Sequence, residues 1–177
     1  MSIKDKITPE IKNRFRDAIR RTIDTGREHA FIMCRDEKGN LYPRDICEGE
    51  ECAIITESPT RCFPHRAQGN FHTHADTSVA RRLFKDAGKI IPQKLIISYV
   101  EDVALINKCI QRTEGTVCIG SDTNSNRVDC WTTNNTITED DCERAGTLKL
   151  LRMVGEGSPR HWIKPLFDKE IINLENK

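Results

Sequence analysis

Several features are scarce or missing in this 177-residue sequence. No apolar run approaches the roughly 20 residues that a membrane-spanning helix needs. A mean hydropathy of −0.58 fits a chain with a modest core. Net charge is almost absent, since 28 Lys and Arg against 27 Asp and Glu leave +1. That balance argues against a polybasic arm or a cationic membrane patch, so neither nucleic acid nor membrane is an expected partner. The segment 1–10 alternates charged with single apolar residues and contains no h-region, which leads us to expect a cytoplasmic protein. No C-x-x-C pair occurs. The closest cysteines, Cys47 and Cys52, are spaced more widely than zinc ribbons or fingers use.

What is present is a chain of one-domain length with eight cysteines. We read most of these as small buried thiols, although Cys118 and Cys130 fall on neighbouring strands of a hairpin and could pair. Residues 8–25 read as an amphipathic helix. Thr8 is its cap and Pro9 its first residue, Ile11, Phe15, Ala18, Ile19 and Ile23 form its apolar face, and Gly26 stops it. Ala30–Cys34 is a short apolar strand, turned by Lys38-Gly39-Asn40 into a strand near Leu41 and Tyr42. Further strands are expected at Cys52–Thr56 and from Gly69 to His74. Helices are expected over 78–87 and 98–112. Residues 116–120 and 127–132 read as a hairpin turning at Asn124-Ser125-Asn126. Thr136 with Glu139 gives a capping-box signature for a helix to about Val154. The remainder, from Gly155, reads as a loosely packed extension. The order of elements indicates one α/β or α+β domain.

Chemistry concentrates in Gly69-Asn70-Phe71-His72-Thr73-His74. Histidines at i and i+2 on an extended strand project to the same side and can reach one metal ion. A zinc hydrolase also needs a third ligand, an open position for water and a general base. Glu28 stands 44 residues before His72, where the first helix gives way to the first strand. His29 would point away from Glu28 and reads as structural, and His65 reads as a solvated loop residue.

In these residues the sequence resembles the JAMM (MPN-type) zinc metalloproteases, over roughly Ile7 to Thr133. Their pattern is an upstream Glu followed by H-x-H-x(7)-S-x-x-D. The resemblance implies an α/β fold, a single MPN/JAMM-like domain with a central, mostly antiparallel, curved sheet flanked by helices. That domain would occupy 1–154, with an insertion at about 76–97, and 155–177 would be a C-terminal extension. At the strict spacing the Ser and Asp positions hold Arg82 and Lys85, so the insertion is needed to bring Ser98-Tyr99-Val100-Glu101-Asp102 into the S-x-x-D role. The third ligand implied is then Asp102, with Glu101 and Asp86 as rivals.

The resemblance further implies a zinc cofactor held by His72, His74 and Asp102, with Glu28 as general base and then acid. Ser98 would be the donor to the oxyanion. The expected activity is hydrolysis of a peptide or isopeptide bond in a protein substrate, including conjugates of a ubiquitin-like modifier. Two other readings compete with it. One is a non-catalytic MPN-like scaffold. The other is a PHP-type metal phosphoesterase, which also uses H-x-H but needs several later ligands where only His161 follows His74.

Overall fold

The computed structural model describes residues 2–49, 62–75, 115–134, 137–144 and 166–175. The expected strand at 52–56, the helices at 78–87 and 98–112 and the insertion at 76–97 lie outside them. The described residues form a mixed α/β arrangement with a six-stranded sheet. Its strands are β1 (His29–Arg35), β2 (Leu41–Glu48), β3 (Arg66–His74), β4 (Thr116–Ser121), β5 (Asn124–Thr133) and β6 (Phe167–Asn173), in the order β2-β1-β3-β4-β5-β6. Every neighbouring pair is antiparallel except β3 and β4, which run parallel. Two helices precede the sheet, α1 (Ile3–Lys6) and α2 (Pro9–Thr25).

Helix α2 follows from local chemistry. The Thr8 hydroxyl accepts the Ile11 N–H, Pro9 occupies the first turn, and Gly26 closes the helix at φ 69°. Ile11, Phe15, Ala18 and Ile19 bury against the sheet, but Ile23 is half exposed and Thr22 is buried in its stead. The core between helix and sheet centres on three rings. Phe71 of β3 lies 4.5 Å from Phe15 of α2 and 5.1 Å from Phe31 of β1, centroid to centroid. The β1–β2 turn is the expected one. Asp36 accepts the N–H groups of Lys38 and Asn40, and Gly39 takes φ 84°. The Asn40 N–H in particular holds the Asp36 carboxyl below its ordinary pKa.

Four expectations need correction. The second hairpin turns at Asp122-Thr123, because Ser121 pairs with Asn124 and its Oγ accepts the Thr123 N–H; Asn124-Ser125-Asn126 opens β5. The late helix, seen over 139–144, begins later than the Thr136–Glu139 signature puts it and is capped by Thr138 with Asp141, Thr136 lying outside the described residues. The Asp141 carboxylate accepts the Thr138 N–H, and the Thr138 hydroxyl accepts the Asp141 N–H. The tail is no loose extension through 167–173: β6 pairs with β5 over its whole length and buries Phe167 and Ile172. Finally, the described cysteines are bridged instead of free. Cys118 pairs with Cys130 directly across β4 and β5, inside the main core. Cys34 of β1 pairs with Cys62, just ahead of β3. Cys47 and Cys142 are disulfide-bonded as well.

Candidate metal centre

Strand β3 is buried almost throughout and alternates its contacts between the two faces of the sheet. Phe71 and Thr73 point to α2, whereas His72 and His74 share the opposite face. Their imidazoles converge: Nε2 of His72 lies 3.0 Å from Nε2 of His74, with ring centroids 5.0 Å apart. Both side chains are 7% exposed. Two Zn–N bonds of about 2.0–2.1 Å at a tetrahedral angle separate their nitrogens by roughly 3.3 Å. In the structure the two Nε2 atoms share a hydrogen bond at 3.0 Å, and opening the pair by a few tenths of an ångström would give the separation that a shared zinc ion needs. Burial, followed by the charge of His74, pushes the pKa of His72 down to about 3. Its ring is therefore neutral near pH 7, the state in which imidazole ligates metal.

Glu28 directly precedes β1, and its carbonyl accepts the Gly49 N–H at 2.8 Å. In the antiparallel β1–β3 register Ala30 faces His72. The pairing stops there, and Glu28 lies two residues beyond it, ahead of the first residue of β1. Of the residues singled out in the sequence, the fold brings His72 and His74 together and puts Glu28 directly ahead of the strand that pairs with theirs. Ser98, Asp102, Glu101 and Asp86 lie outside the described residues. Among the described residues no cluster of three or more His, Cys, Asp or Glu side chains could hold a metal ion.

The other two histidines nearby have separate partners. His29 is buried on the α2 side, with Nδ1 3.0 Å from the Arg27 carbonyl and 3.1 Å from Thr22 Oγ1. His65 is not merely solvated, since its Nδ1 shares a 2.6 Å hydrogen bond with the Tyr42 hydroxyl.

Three neighbours of the histidine pair escape sequence reasoning. Ser121 stands beside His74 in the parallel β3–β4 register, and the Asp122 N–H donates to the His74 carbonyl at 3.2 Å. Asn70 lies two residues before His72 on the same face, and its buried Oδ1 meets no hydrogen-bond partner among the described residues. Thr73 faces the opposite way and is fully buried. The period of two in the strand flags Asn70 as a companion of the histidines, but Ser121 needs the β3–β4 register, which is nonlocal. No family model matches the chain, and no curated protein matches it either.

Proposed function

We propose that the chain is a zinc-dependent peptidase or isopeptidase with a single JAMM/MPN-like domain, acting on a protein substrate such as a conjugate of a ubiquitin-like modifier. The observation that carries this reading is the convergence of two buried, same-face imidazoles on β3, the strand paired with the one that Glu28 directly precedes. His72 and His74 would hold the metal together with an acidic side chain, Asp102 ahead of Glu101 and Asp86. Bound there, zinc supplies Lewis acidity towards a water molecule and the scissile carbonyl. Glu28 takes up the proton of the attacking water and delivers it to the leaving amine. Ser98 donates a hydrogen bond to the developing oxyanion. Neutral His72 keeps its lone pair for the metal at physiological pH.

Glu28→Gln should retain stoichiometric zinc and lose peptide-bond hydrolysis by roughly 10²–10⁴-fold, the usual worth of a general base. His72→Ala should lose both. Zinc content by elemental analysis and cleavage of a modifier conjugate check these outcomes. An active Glu28→Gln variant removes the general-base role, and a wild-type chain that takes up no zinc favours the scaffold reading.

No helix among the described residues is long and apolar enough to cross a membrane. The cytoplasmic setting expected from the sequence has to accommodate the disulfides. Such bridges persist in secreted proteins and in the cytosol of hyperthermophiles. We therefore assign a cytoplasmic location only to a host whose cytosol keeps disulfides oxidised. Alkylation of the denatured, unreduced chain from its host should leave Cys34, Cys62, Cys118 and Cys130 unlabelled; labelling of these four overturns the assignment.

A further inference from the structure

Thr73 separates the two histidines in sequence and points away from both. Its hydroxyl is buried between β1 and α2, where it meets three groups. The His29 main-chain N–H donates to Thr73 Oγ1 at 2.9 Å. The Thr73 hydroxyl lies 3.3 Å from the His29 carbonyl oxygen, to which it donates. The Thr22 hydroxyl of α2 closes onto Thr73 Oγ1 as well. With the Thr22 proton given to Thr73, His29 Nδ1–H is left to donate to the Arg27 carbonyl and to Thr22 Oγ1. Every donor then has an acceptor, as a buried polar network requires. Thr22 and Thr73 are 0% exposed and His29 4%, so water does not compete for these bonds.

The position of this network matters more than its size. The β1–β3 pairing ends at Ala30 opposite His72. One residue beyond, where a ladder would continue through main-chain groups, the Thr73 side chain takes both the N–H and the C=O of His29. That is the point at which Glu28 leaves β1. A single hydroxyl thus joins the strand bearing His72 and His74, the residue next to Glu28, and the helix that leads into Glu28 through Gly26 and Arg27.

We propose that Thr73, supported by Thr22 and His29, is a positioning residue that sets Glu28 and the His72–His74 pair in their relative places. It acts from the far face of the sheet and touches neither metal nor substrate. The inference rests on the reading of His72 and His74 as metal ligands.

The test compares full-length wild type with Thr73→Val, Thr73→Ser and Thr22→Val, using zinc and cobalt(II) as probes. Valine keeps the shape of threonine and removes the hydroxyl, while serine keeps the hydroxyl. In Thr73→Val, zinc affinity measured against a chromophoric chelator should fall about 10–100-fold, as on loss of groups that orient ligands. The visible bands of bound cobalt(II) should shift with it, and Thr73→Ser should restore both. In the metal-free chain, the imidazole ¹⁵N resonances of His72 and His74 should move in Thr73→Val and stay in place in Thr73→Ser. Thr22→Val removes the helix contact alone and should give a smaller change of the same sign; it carries the test if Thr73→Val does not fold.

A residue that only stabilises the fold would lower the unfolding midpoint and leave cobalt bands and imidazole resonances as they are. That result in Thr73→Val, or in Thr22→Val where it stands in, overturns the proposal. A wild-type chain that takes up neither metal overturns the zinc reading instead, and the imidazole resonances then decide the positioning role alone.

Discussion

A Cβ added to Gly69 would lie 1.6 Å from the Thr116 carbonyl oxygen and 2.6 Å from its carbon, both backbone atoms. Gly69 pairs with Thr116 at the start of the parallel β3–β4 ladder, so the two main chains approach where no side chain fits. Backbone, unlike the end of a flexible side chain, yields only by moving the strand. Gly69→Ala should destabilise the chain by about 3 kcal/mol or more, at the upper end for an overpacked site, and a urea titration checks it. An unchanged midpoint would mean that β3 and β4 are not paired in this register. At this scale the sequence is informative where the signal is local. The i, i+2 alternation brings out the His72–His74 pair without knowledge of any other strand. Thr73 is different, because threonine is an ordinary strand residue until Thr22 and His29 are folded beside it. The same network explains α2, where helical periodicity selects Ile23 for the apolar face. The buried position goes to Thr22, whose hydroxyl has acceptors and donors waiting on β1 and β3.

Elements whose ends are set by their own residues are legible in the same way. Helix α2 has its N-cap, its proline and its terminal glycine in the chain itself, and both of its ends fall where these signals put them. The Asp36–Asn40 turn is likewise closed by a side chain within the turn. Two other elements are shifted by two residues because similar signals compete. Asn124-Ser125-Asn126 has turn-forming composition, yet the Ser121 and Thr123 hydroxyls close the tighter loop and allow a two-residue connection. Thr136 and Glu139 form a capping box on paper, while Thr138 and Asp141 make the observed one. Composition tells that a turn or a cap is near, and hydrogen bonding between specific side chains chooses the residue. The cysteines show the limit of such reading. Pairing of Cys118 with Cys130 requires the β4–β5 register, and pairing of Cys34 with Cys62 requires the β1–β3 register that brings the segment ahead of β3 beside β1.

Strand β6 is where the organisation of the whole molecule departs most from the sequence reading, because nothing near residues 166–175 shows what they pair with. Their short apolar alternation suits an exposed tail equally well until β5 offers an edge. Once paired, Ile172 and Leu174 join the core cluster that contains Phe15, Phe31 and Phe71. The Leu174 carbonyl accepts from Arg16 Nε at 3.0 Å and Nη2 at 2.7 Å, and Glu170 accepts the Lys4 N–H at 2.9 Å. The last described residues thus hold both helices to the sheet, and the two ends of the chain close the structure on each other. Burying Ile172 and Leu174 contributes about 1.5–3 kcal/mol each, so the pair supplies roughly 3–6 kcal/mol of a total that is usually about 5–15 kcal/mol. A chain ending at residue 165 should therefore be largely unfolded or aggregated under conditions in which the full chain is folded. Removal of β6 also leaves β5 as an open edge, which favours association through strand pairing. Urea unfolding followed by circular dichroism, with size-exclusion chromatography for association, checks this expectation. A shortened chain with the full-length midpoint would mean that residues 166–175 are the loosely packed tail that composition alone suggests.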